Sequence, residues 1–150
     1  MQAKIALVGF TVLALLIGGC GGGGDETTIS ESDFISQGNT ICAEAAKEQA
    51  AVYSKLIKES EEAGQPASAD PSPEVTLVNA MSSSIGAMVD ELRELGAPAG
   101  KEAPFEKMLD EYEAIAKKAA DQPEGFLQTK GFYAPDKRAK ALGLVKCQGM

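Results

Sequence analysis

The stretch VNAMSSSIGAMVDELREL, residues 78–95, carries the clearest structural signal in the chain. Val78, Met81, Ile85, Met88, Leu92 and Leu95 recur at alternating steps of three and four. That spacing lines up one face of an α-helix, whereas a half-buried strand alternates with a period of two. The flanks agree. Ser72-Pro73-Glu74 upstream reads as an N-cap, a proline at the first helical position and an acid in the first turn. Gly96 stops the helix, with Pro98 just beyond.

The same pattern extends on both sides. Downstream, Phe105, Met108, Tyr112, Ile115 and Ala119 mark a helix over residues 101–120, with Leu109 and Ala116 widening its stripe. Glu113 and Lys117 stand four apart on it as a favourable pair. Asp121-Gln122-Pro123-Glu124-Gly125 ends that helix. A short fourth helix is expected from near Pro135 to Gly143, followed by an apolar tail of Leu144, Val145 and Cys147. Upstream, Gly64 to Pro73 is a loop by composition. Residues 33–63 lack proline and carry Phe34, Ile41, Ala45, Val52 and Leu56 at steps of seven, four, seven and four. Cys42, Ala46, Tyr53 and Ile57 lie beside that stripe, and Gly38 and Asn39 weaken it. Ser30 or Ser32 offers the N-cap, with Glu31 and Asp33 at the positive end. No run of alternating β-branched residues marks a strand. Three long helices and one short one, briefly connected, predict an all-α, antiparallel four-helix bundle over residues 33–150.

The amino end has a different character. Lys4 precedes an almost wholly apolar run from Ile5 to Ile17, and small residues lead to Cys20. A charged start, a short apolar centre and a small-residue exit make a secretory signal over residues 1–19. A retained anchor is the competing reading, but a span needs ~20 apolar residues. Leu16-Ile17-Gly18-Gly19-Cys20 resembles the bacterial lipobox, where cleavage precedes a cysteine that receives lipid. Gly18 is less usual at its position. Gly21 to Gly24 then suit a flexible tether, because glycine loses most backbone entropy on ordering. Residues 20–32 are accordingly read as lipidated cysteine and tether. The implied location is the extracytoplasmic face of the cell membrane, with the membrane itself as a partner through lipid on Cys20.

With Cys20 acylated, Cys42 and Cys147 remain, and in an oxidising compartment two leftover cysteines most simply form a disulfide. Their wide spacing fits no compact zinc motif, and the chain contains no histidine. In an up-down-up-down bundle the start of the first helix lies beside the end of the fourth, so the pair is also topologically reasonable. The net charge of −8 points away from nucleic acid, whose binding needs clustered positive charge. Bases gather only at the carboxy end, at Lys130, Lys137, Arg138, Lys140 and Lys146. They are read either as a basic last helix lying against acidic neighbours or, at Lys137, Arg138 and Lys140, as a contact for anionic lipid or envelope polymer.

Phe34-Ile35-Ser36-Gln37-Gly38-Asn39-Thr40-Ile41-Cys42 and the late Ala141-Leu142-Gly143-Leu144-Val145-Lys146-Cys147, placed after a lipobox and tether, resemble a group of small actinobacterial lipoproteins. The resemblance implies a helical, extracytoplasmic domain and brings no activity with it.

The absence of histidine excludes a Ser-His-Asp triad, a histidine-bearing zinc hydrolase and a glutamate–histidine di-iron site. No Ser-x-x-Lys, no phosphate loop and no calcium loop of the EF-hand type is present. Asp90, Glu91 and Glu94, and Glu106, Asp110, Glu111 and Glu113, read as solvated helix faces rather than cation sites. Met81, Met88 and Met108 read as core methionines rather than ligands for soft copper. Phe126, Phe132 and Tyr133 are expected to pack on the open end of the bundle. No catalytic residue, metal or cofactor is assigned. The function expected is binding or structural presence at the envelope, with an envelope protein or polymer as the further partner. Two other readings stay open: a ligand-binding or sensing module with a pocket in the bundle, and an envelope enzyme using carboxylates or a Ser–Lys pair.

Overall fold

The computed structural model describes residues 28–63, 72–128 and 132–149. The signal segment, Cys20 and the glycine tether lie outside these residues, as does Lys130. The elements are α1 (Glu31–Ala63), α2 (Pro73–Leu95), α3 (Glu102–Asp121) and α4 (Tyr133–Ala141), with single 3-10 turns at Phe126–Gln128 and Val145–Cys147. The described residues contain no strand, and none of their helices is long and apolar enough to cross a membrane.

The helix starts follow from local chemistry. At α1, Ser30 Oγ accepts from the Asp33 amide at 3.1 Å and donates to the Asp33 carboxylate at 2.6 Å. Helix α1 therefore begins two residues before the expected boundary, and Ile29, read as tether, packs against the core. At α2, Ser72 Oγ accepts from the Val75 amide at 3.3 Å, with Pro73 at the first helical position. Helix α4 starts at Tyr133 rather than near Pro135, because Pro135 is tolerated within a first turn where its missing N–H has no partner to lose.

Successive helices run antiparallel. Ser84 Oγ on α2 donates to the Ala45 carbonyl of α1, and Ser82 Oγ to the Ala116 carbonyl of α3. Arg138 on α4 reaches back to Glu111 on α3. The core is built from Phe34, Cys42, Ile85, Met88, Val89, Leu92, Phe105, Met108, Leu109, Tyr112, Leu144 and Cys147, all essentially without solvent contact. Phe34 and Phe105 meet edge-to-face at 5.2 Å between ring centres. A smaller cluster of Val78, Ala119 and Phe126 closes the far end, with Phe132 edge-on to Phe126. Tyr133 departs from expectation: it is 77% exposed and takes no part in that packing. Among the described residues the two clusters draw on positions from Ile29 to Cys147.

The carboxy-terminal segment lies across the first turns of α1. Cys42 and Cys147 form a disulfide, with Cα atoms 4.8 Å apart. One turn earlier, Asn39 Nδ2 donates to the Ile35 and Gly143 carbonyls at 2.8 and 2.9 Å, and its Oδ1 accepts from the Lys146 amide at 2.8 Å. Gly38 is the seat of Leu144: a Cβ there would lie 2.6 Å from Leu144 Cδ2. Gly143 makes the complementary approach, with φ of 83° and a would-be Cβ 2.9 Å from Ile35.

Gly38→Ala should therefore lower stability by about 1–3 kcal/mol, since the added methyl must displace the fully buried Leu144. Cys147→Ser should cost about 2–5 kcal/mol by releasing a loop that spans nearly the whole domain. Urea unfolding of the oxidised domain measures both, and an unchanged midpoint for Gly38→Ala would contradict the seating of Leu144 on Gly38.

Candidate functional site

Three places in the fold carry chemistry: the clasp between α1 and the carboxy end, the basic face of α4, and the seam between α1 and α2.

Behind the clasp lies Tyr112, fully buried on α3. Its hydroxyl is 2.9 Å from Asp136 Oδ1 on α4 and 2.7 Å from the Cys147 carbonyl. A phenol has one proton, so two acceptors share it. The other carboxylate oxygen of Asp136 accepts from the Gly149 amide at 3.1 Å. Burial first, and the Asp136 charge second, push the Tyr112 phenol well above its ordinary value of 10.0. This network ties α3, α4 and the chain end into one unit. Its bonds position these elements against one another.

On α4, Lys137 and Lys140 are exposed, as is Lys146 beyond it. Arg138 is placed differently. Its Nε donates to both Glu111 oxygens, at 3.0 and 2.9 Å, in a half-buried pair. Arg138 is thus spent on holding α4 to α3, and of the three residues read as an anionic-surface contact only the two lysines are free to reach one. The expected pair of Glu113 and Lys117 does not form either. Glu113 takes Arg93 of α2 at 3.0 Å, and Lys117 takes Asp121 at 3.3 Å. The Arg93 guanidinium reaches Glu113 from the neighbouring helix and Asp90 on its own, and Lys117 pairs within α3 instead. These pairs are exposed and stabilise little.

No carboxylate among the described residues is buried; their buried polar side chains are Gln49 and Ser84. No three acids or cysteines there converge so as to hold a metal ion. Met88 and Met108 are buried in the core, whereas Met81 is half-buried at the seam.

At the seam, the apolar face of α1 outruns its cover. Helix α4 has nine residues against thirty-three in α1, so beyond Cys42 the outer half of α1 leans chiefly on α2. Tyr53, on the expected stripe, is 53% exposed as a result. Gln49 sits in this seam at 9% exposure, and its Nε2 has no hydrogen-bond partner. A cleft of about 380 Å³ opens on one side of it, lined by Val52, Ala80, Ser83, Ser84 and Ala87 with Glu48 at the edge. A second of about 270 Å³ opens on the other, lined by Ala50, Tyr53, Leu77 and Met81. Sequence reasoning passed over Gln49. Its signal was available: it falls four residues after Ala45, inside a seven-residue gap in the stripe.

No protein-family model, curated protein or solved structure matches this chain.

The Tyr112 network implies a pH dependence of stability. Above pH 10 the unfolded phenol ionises while the folded one keeps its proton, so the unfolded state binds fewer protons and stability falls as pH rises. Tyr112→Phe should cost about 1–3 kcal/mol at neutral pH by leaving its acceptors unpaired. The gap between the two proteins should then narrow above pH 10, by at most about 1.4 kcal/mol per pH unit. Parallel pH–stability curves would count against the proton-donating role.

Proposed function

We propose that this chain is an exported, lipid-anchored helical domain that acts at the cell envelope by binding, and not by catalysis. The observation that carries the reading is how the three cysteines divide. Cys42 and Cys147 are joined in a fully buried disulfide, a bond that persists in oxidising compartments and not in the cytosol. Cys20 is left over, and it is the cysteine that comes after an apolar run and small residues. Anchorage through acyl chains on Cys20 accounts for both facts and for the glycine run after it.

The preference for binding over catalysis draws support from two further features. The chain lacks histidine, the side chain best suited to proton transfer near neutral pH. The buried polar side chains among the described residues, Gln49 and Ser84, are groups that hydrogen-bond rather than titrate. The resemblance of the 34–42 and 141–147 motifs to small lipoproteins supports the exported, anchored half of the reading alone.

Cell fractionation tests the anchor. The wild-type chain should partition with membranes at the mass of the cut, acylated form. Cys20→Ala should accumulate as uncut precursor or leave the membrane. If Cys20→Ala still sediments with membranes at the mature mass, the lipoprotein reading fails.

A further inference from the structure

The seam between α1 and α2 contains a donor that the fold does not use. A buried amide N–H without an acceptor costs about 1–3 kcal/mol, and an apolar side chain of the same length at residue 49 would avoid that cost. Gln49 is nevertheless the residue there, nine-tenths buried, with Nε2 shielded from solvent and unpaired. Ser84, the other buried polar side chain there, donates its hydroxyl to the Ala45 carbonyl at 3.1 Å and makes no bond to Gln49 Nε2. Opposite Gln49, α2 presents Ala80, Ser83, Ser84 and Ala87, side chains too short to fill the space between the helices. The cleft they leave, about 380 Å³, lies within the ~300–1,000 Å³ range of small-molecule sites.

We propose that this cleft binds a small, neutral, mostly hydrocarbon ligand that places a carbonyl-type acceptor on Gln49 Nε2. Each part of that description comes from a wall of the cleft. Val52, Ala80 and Ala87 offer apolar surface, which favours hydrocarbon. Gln49 lines the cleft and its unpaired atom is a donor, so an acceptor on the ligand satisfies it. Glu48 stands at the edge of a chain with net charge −8, which disfavours a carboxylate. Alkyl esters and ketones meet all three conditions. The inference rests on the binding half of the proposed function and is independent of the anchor on Cys20.

The test uses the oxidised chain without its lipid, residues 20–150 carrying Cys20→Ser. The probe is 6-propionyl-2-dimethylaminonaphthalene, an uncharged fluorophore with one ketone, followed by the shift of its emission. It should bind saturably, and methyl octanoate should displace it at least tenfold better than octanoate. Gln49→Leu should fold at least as stably as the wild type yet bind the probe about fivefold to tenfold more weakly, the loss of one hydrogen bond. Ser83→Phe, at an exposed position, fills this cleft and should abolish binding. Ala50→Phe, also exposed, fills the cleft on the other side of Gln49 and should leave binding intact. Three results overturn the proposal: no saturable binding to the wild type, equal affinity for Gln49→Leu, or loss of binding in Ala50→Phe and not in Ser83→Phe. None of them bears on membrane fractionation, so the site and the anchor stand or fall separately.

Discussion

The domain depends on the seating of residues 142–147 against the first three turns of α1. Helix α4 is nine residues long, well short of the length at which helices hold themselves together in water. Arg138 and Asp136 join it to α3, and the carboxy-terminal segment beyond it joins it to α1. Leu144 drops onto Gly38, Asn39 bonds the backbone on both sides of Leu144, and the disulfide closes one turn further on. The side chain of Asn39 reaches three backbone groups at once, so it fixes the register of the returning segment to a single position. With that register set, the Cys147 carbonyl arrives at the Tyr112 hydroxyl, and Asp136 is drawn to the same phenol. A set of helices with modest apolar faces becomes one core.

The sequence discloses the helices more fully than it discloses their contacts. The period of α2 is unbroken, and its serine cap, proline and glycine stop are all found where local chemistry predicts them. The stripe of α1 is instructive because it is incomplete. Between Phe34 and Ile41, and again between Ala45 and Val52, it jumps seven residues, and the positions four after Phe34 and Ala45 are Gly38 and Gln49. Both are buried. One is small because another chain segment needs the room, and the other is polar at the seam where the cover runs out. Helical propensity assigns Gly38 and Asn39 to weakness, since it weighs only the helix that contains them. What they do is set by residues more than a hundred positions away, which no local pattern can register. The same limit explains the ion pairs. Glu113 and Lys117 are well spaced for each other, but Arg93 from a neighbouring helix arrives with better geometry.

The ends of the bundle differ in finish. Around the clasp the polar backbone groups are paired, the small residues are matched to large ones, and the aromatic rings of Phe34 and Phe105 interlock. Along the outer half of α1 the apolar stripe thins, Tyr53 faces solvent, and a buried amide is left without a partner. Natural sequences tend to break local rules where function asks for it. The seam around Gln49 breaks two: a polar residue on a core stripe, and short side chains opposite it.

The disulfide also decides how the domain answers to force. A pull on a lipid anchor would enter the fold at the start of α1 and travel along its first three turns. At Cys42 it meets a covalent bond to Cys147. Everything from α2 to the carboxy-terminal turn lies inside the closed loop, so force passed from Cys42 to Cys147 crosses the bond and leaves those elements unstretched.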